Sequence, residues 1–112
     1  MSNPIPNRLL KHSATLYPYI GTINGADQFG VAVPLTHIYV EPVQQNAMTS
    51  TGDMKNDTFR VFFDRMNSAP MCQTFKVKDK IIYEGLTCRI RKAQPIKPAI
   101  SDILHHWELN LV

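Results

Sequence analysis

An all-β fold, a small antiparallel β-barrel with a long inter-strand loop, is what this sequence predicts, and three observations carry the prediction. Apolar residues recur with a period of two in short runs, the signature of strands with one face toward a core, and no long run has helical spacing. The phase of that alternation flips at Glu84 and Gly85, as it does when a strand turns back beside itself. Roughly five or six such runs make a sheet whose edges would stay exposed unless it closed on itself. A chain of 112 residues with 44% hydrophobic side chains supports one folded core, so residues 1–112 are expected to form a single domain, with residues 1–8 a flexible N-terminal arm.

The elements follow in order. Residues 9–17 (LLKHSATLY) put Ala14 and Leu16 on one side and Ser13 and Thr15 on the other, a half-buried strand. Residues 21–30 (GTINGADQFG) hold three glycines, an Asn and an Asp, and read as turns. Residues 31–40 (VAVPLTHIYV) are rich in β-formers, but Pro34 has no N–H for a ladder, so this strand lies at an edge or bulges there. Residues 42–57 (PVQQNAMTSTGDMKND) are longer and more polar than a turn requires; by length alone they are equally a functional loop or a plain surface loop. Residues 58–66 (TFRVFFDRM) form a strand with Phe59, Val61 and Phe63 on one face and Arg60 and Asp64 on the other.

Residues 75–93 (FKVKDKIIYEGLTCRIRKA) say most. Phe75, Val77, Ile81 and Tyr83 share one parity, and Leu86, Cys88 and Ile90 share the other. A two-residue loop at Glu84–Gly85 pairs Tyr83 with Leu86 and Ile81 with Cys88, which keeps the apolar side chains on one face. Glu is not a residue that a type I′ turn prefers, so the turn type, and a one-residue bulge, stay open. After the proline-punctuated residues 94–101 (QPIKPAIS), residues 102–104 are expected to form one helical turn. The strictly alternating residues 105–112 (HHWELNLV) form the last strand, with Trp107 read as core in preference to an exposed anchor.

Little in the chain suggests chemistry. His105 and His106, as neighbours on a strand, point to opposite faces and do not chelate one ion, and His12 and His37 lack partners at ligand spacing. Cys72 and Cys88 read as free thiols, with Cys88 buried and neutral. There is no P-loop, GxSxG elbow or GxGxxG after a strand. No enzyme activity, cofactor or metal is therefore expected. No apolar run approaches the ~20 residues of a membrane helix, and Pro4 and Pro6 interrupt the place of a signal peptide, so neither a membrane partner nor export is expected.

The remaining signal is charge. Twelve Lys and Arg against nine Asp and Glu give a net charge of +3, and the excess lies in the second half. The hairpin register sets Lys80 opposite Arg89 and Lys78 opposite Arg91 on the non-core face, where like charges repel. Such a face either splays its side chains into water, the default, or meets an anionic partner.

Taken together, the opening strand HSATLYPYIG, the long polar loop, the hairpin KVKDKIIYEGLTCRIRKAQPI and the closing strand HHWELNLV resemble the minor capsid, or head closure (stopper), proteins of long-tailed bacteriophages, over about residues 10–112. The resemblance implies a structural head–tail connector of the virion neck, made in the host cytoplasm. Such a barrel joins copies of itself in a hexameric or dodecameric ring below the portal and adaptor ring, retains packaged DNA and docks the tail terminator protein. It implies that a loop comprising Gln44, Gln45, Asn46, Met48, Asp53, Met54, Lys55, Asn56 and Asp57 faces the channel or a neighbouring ring, although the loop is neither strongly basic nor hydrophobic. Lys78, Lys80, Arg89 and Arg91 are then expected to face an acidic subunit rim or the packaged DNA. The competing reading is a small nucleic-acid-binding β-barrel, favoured by the basic hairpin but weakened because Phe59, Phe63 and Tyr83 fall in the apolar phase, where no base can stack on them.

Overall fold

The computed structural model describes residues 4–43, 57–98 and 103–112. After a 3-10 turn at Asn7–Leu9, eight strands follow: β1 (His12–Tyr17), β2 (Tyr19–Ile23), β3 (Ala26–Phe29), β4 (Val33–Pro42), β5 (Phe59–Asp64), β6 (Lys80–Tyr83), β7 (Leu86–Ile96) and β8 (His106–Leu111). Six of them close into an antiparallel barrel in the order β1-β4-β5-β8-β7-β6, and β2 and β3 form a separate two-stranded sheet. β1 closes the ring by pairing with both β4 and β6; Thr15 and Leu16 have partners on both sides. β5 to β8 form a Greek key, because β6, β7 and β8 run as a meander whose last strand lies beside β5.

The apolar phase read from the sequence fills this barrel. Leu16, Leu35, Ile38, Val61, Ile81, Leu109 and Leu111 are wholly buried, with Val40, Phe63, Tyr83, Cys88 and Ile90 beside them. Burying side chains of this size, each worth about 1.5–3 kcal/mol, drives the fold. Trp107 packs against the cluster from its margin, edge-on to Phe75.

The structure refines several expectations. Residues 21–30 are not merely turns: they contribute most of the β2–β3 hairpin, whose Asn24 and Gly25 both take left-handed φ (52° and 80°), as a type I′ turn requires. Pro34 lies where β4 has a strand ladder on one side only, as the edge reading expects, and not at a bulge. It pairs with Thr15 in the half of β4 that lies beyond β5, and the bulge falls at His37, the residue left over between the Ser13–Thr36 and His12–Ile38 pairs, with φ 55°. His12 repairs that bulge, for its Nδ1 accepts the Val40 N–H at 3.0 Å. Phe75 and Val77 precede the β6 strand and do not extend it. A turn intervenes, with Lys78 at φ 80° and the Asp79 N–H on the Lys76 carbonyl, so Phe75 stays in the core while Val77 is exposed. Residue 102 lies outside the described residues, and Ile103 and Leu104 are not helical.

Two acidic residues are buried on the outside of the barrel. Asp64, assigned by parity to the polar face, is 0% exposed. Its Oδ1 accepts the Ile5 N–H at 2.9 Å, and its Oδ2 accepts the Met66 and Asn67 N–H groups, both at 2.9 Å. Asn67 returns a bond from its Nδ2 to the Ile5 carbonyl at 2.7 Å. One carboxylate thus both shapes the turn after β5 and ties the N-terminal segment to it. Asp79 does the same at the start of β6, taking the Tyr19 N–H at 2.8 Å and the Lys76 N–H at 3.0 Å.

Replacing Asp64 with Ala orphans three N–H groups and is expected to lower stability by roughly 2–4 kcal/mol, while Asp64→Asn, which keeps one acceptor oxygen, loses about half of that. Urea unfolding of the two variants measures this, and losses below about 0.5 kcal/mol would contradict the assigned role.

Candidate functional site

The β6–β7 hairpin has the register read from its sequence: Tyr83 pairs with Leu86, Ile81 with Cys88 and Lys80 with Arg89. Glu84 and Gly85 both take left-handed φ (48° and 81°), so the turn is type I′ despite the glutamate, with no bulge in the hairpin. Burial pushes the Cys88 thiol pKa up, which disfavours a thiolate; Cys72 is exposed.

The four cations of the basic face do not form two facing pairs. Lys80 faces Arg89 as expected, but Lys78 lies in the preceding turn, and Arg91 is the extra residue of a bulge, skipped between the Ile90–Leu111 and Lys92–Asn110 pairs. The bulge re-aims Arg91. Its Nε and Nη2 meet the two carboxylate oxygens of Asp57 at 2.6 and 2.8 Å, and Asn110 Nδ2 adds a bond to the same carboxylate at 2.9 Å. This fork holds the Asp57 carboxyl below its ordinary pKa, the Arg91 hydrogen bonds being the main cause. Asp57 is the only member of the expected loop set inside the described residues; Gln44, Gln45, Asn46, Met48, Asp53, Met54, Lys55 and Asn56 lie outside them.

Lys78, Lys80 and Arg89 lie against the β2–β3 hairpin. Lys80 Nζ is 4.7 Å from the ring centre of Tyr17, its cross-strand neighbour, and 4.6 Å from that of Phe29. The Arg89 guanidinium is 4.9 Å from the same Phe29 ring, and its Nη2 bonds Asp27 Oδ2 at 2.8 Å. Lys78 Nζ stands 5.3 Å from the Tyr19 ring. Arg89 and then the Thr22 hydroxyl hold the Asp27 carboxyl below its ordinary pKa. The repulsion between Lys80 and Arg89 is therefore offset within the chain, by the Asp27 carboxylate and by the electron-rich faces of two rings, Tyr17 and Phe29. Sequence reasoning missed this partner by treating residues 21–30 as turns, although Asn24–Gly25 is a strong hairpin signal.

Phe63 and Tyr83 are buried and Phe59 packs against the core, which removes them as a base-stacking platform. His105 and His106 do not diverge. Their Nδ1 atoms are 2.7 Å apart, because His105 precedes the strand and is free of its alternation, and His106 Nε2 reaches Glu108 Oε2 at 2.9 Å. Among the described residues no group of three His, Cys, Asp or Glu side chains could hold a metal ion, and no helix is long and apolar enough to cross a membrane.

The family model described as minor capsid protein matches residues 6–111, from the 3-10 turn through the closing strand. The chain belongs to the minor capsid protein family. The resemblance to bacteriophage minor capsid proteins read from the sequence is thereby shown, and with it a structural role as a component of the virion. Comparisons with curated proteins and with solved structures gave no match.

Because Asp57 is held ionised by Arg91, its contribution to stability is present above the unfolded-state carboxyl pKa and is lost as pH falls through the depressed folded-state value. Asp57→Asn is expected to cost on the order of 1 kcal/mol at neutral pH, and this difference from the parent should vanish at the acid end of a thermal-melting series. A difference that persists unchanged into acid would rule out the charged fork as its source.

Proposed function

We propose that this minor capsid protein is a head closure, or stopper, subunit. It forms a ring with copies of itself at the capsid vertex, between the portal or adaptor ring and the tail terminator protein, where it retains packaged DNA and docks the tail. The observation that carries the reading is the family match over nearly the whole described barrel. The geometry suits the task. A closed barrel offers no free sheet edge for uncontrolled pairing, and it keeps its shape under load through a core shared by all six strands.

In this reading the residues 44–57 point to the channel or to an adjoining ring, from a base fixed by the Asp57–Arg91 fork. Lys78, Lys80, Arg89 and Arg91 meet an acidic neighbouring rim by exchanging the internal carboxylates Asp27 and Asp57 for those of the partner. A protein partner is favoured over a nucleic acid because Phe63 and Tyr83 are buried and Phe59 packs against the core, so no base stacks on them.

Disabling the gene in the phage that encodes it, and supplying the protein in trans as a control, tests the proposal. The expected product is heads that package DNA but fail to keep it or to gain tails, with infectivity restored by the supplied protein. Full, tailed, infectious particles without the protein, or failure of the shell itself to form, would overturn the connector role.

A further inference from the structure

We infer that the β2–β3 hairpin is an electrostatically latched arm, which opens as a unit on a barrel that stays closed and thereby uncovers Lys78, Lys80 and Arg89 together. The inference does not depend on where the protein sits in the virion.

The hairpin has little of its own to hold it. β2 and β3 pair only with each other, and a lone two-stranded hairpin is marginal in water. None of its residues is fully buried, and Ile20 and Ile23 are exposed at 68% and 61%. Its place on the barrel rests on the Asp27–Arg89 ion pair, the Phe29 ring beside Lys80 and Arg89, the Tyr19 ring beside Lys78, and the Tyr19 N–H on Asp79. The last of these lies at the root, where the Gly30 N–H also donates to the Pro18 carbonyl at 2.7 Å. The root contacts are one backbone–backbone bond and one backbone N–H on the buried Asp79 carboxylate, where dissolved ions screen little. Beyond the root, these outer contacts between arm and barrel each involve one of three cations.

Those outer contacts have the properties of a latch. The Asp27–Arg89 pair is about one-third exposed on each side, at 34% and 35%, so dissolved ions screen it. The barrel beneath is held by apolar burial, which salt does not weaken. The two parts therefore respond differently to ionic strength: salt loosens the latch and leaves the barrel as it is. While the latch is closed, Arg89 is paired with Asp27 and Lys78 and Lys80 are covered by rings; when it opens, the three form one cationic patch, competent to receive an anionic surface in place of Asp27.

Amide hydrogen exchange of the full chain, followed residue by residue and corrected for intrinsic rates, tests the latch. Raising NaCl from roughly 0.05 to 1 M, where the screening length falls to about 3 Å, should speed exchange of the β2–β3 ladder by about three- to tenfold and leave the β5–β8 ladder unchanged. Asp27→Asn at low salt should reproduce most of that acceleration and reduce the remaining salt response. Phe29→Leu, which keeps apolar bulk but removes the ring, should accelerate the same amides without slowing or speeding those of β5 and β8. Hairpin exchange that ignores both salt and Asp27→Asn, or that rises only in step with the barrel, would overturn the proposal.

Discussion

Closure of the barrel through β1 is the constraint on which the rest depends. Six residues, His12–Tyr17, must satisfy β4 on one side and β6 on the other, and Leu16 sits at 0% exposure where the two ladders overlap. Strands β6 and β4 are distant in the chain, so without β1 the sheet would have two long open edges. Closure also takes one face of every strand: alternating apolar side chains of all six strands go inward to one core. What lies outside is held in large part by polar contacts, with Leu10 of the N-terminal segment buried beside them.

That division of labour explains the odd polar features of the molecule. Asp64 and Asp79 are buried because each gathers the N–H groups of a peripheral segment against the barrel wall, the N-terminal segment in one case and the start of the β2–β3 hairpin in the other. A carboxylate in such a place is tolerated because backbone donors replace the water it loses. The same logic governs the cations. Lys80 and Arg89 can face one another across a ladder because Phe29 and Asp27 lie over them, and Arg91 leaves the ladder altogether to grip Asp57. An acid partner that displaced either carboxylate would gain a site already shaped for it.

What was legible in the sequence was governed by parity. The β6–β7 register followed from the phase flip at Glu84–Gly85, since only one pairing keeps Ile81, Tyr83, Cys88 and Ile90 on one face. Parity failed wherever the chain departs from regular pleating. Neither the turn at Lys78 nor the bulges at His37 and Arg91 carry a proline or glycine to announce them, and they decide which cations share a face. Asp64 looked like a surface residue because alternation reports the side of a strand and not what later covers that side. The β2–β3 hairpin was obscured by its own brevity, although its turn residues were visible. The structural class was legible in the order of the pieces, and the family match across residues 6–111 agrees with it.

The account makes a rigid barrel the working unit, with polar-tethered attachments available to neighbours in a virion. The proposed role makes a claim about place: if this minor capsid protein closes the head, it belongs at one vertex and nowhere else. Cryo-electron microscopy of mature particles, reconstructed around the tail axis without imposing capsid symmetry, measures that place directly. The account predicts a ring of six-stranded barrels on the axis between portal and tail, with the β6–β7 outer face turned to an acidic surface. Barrels distributed over the icosahedral shell, or a vertex ring into which this chain does not fit, would contradict it.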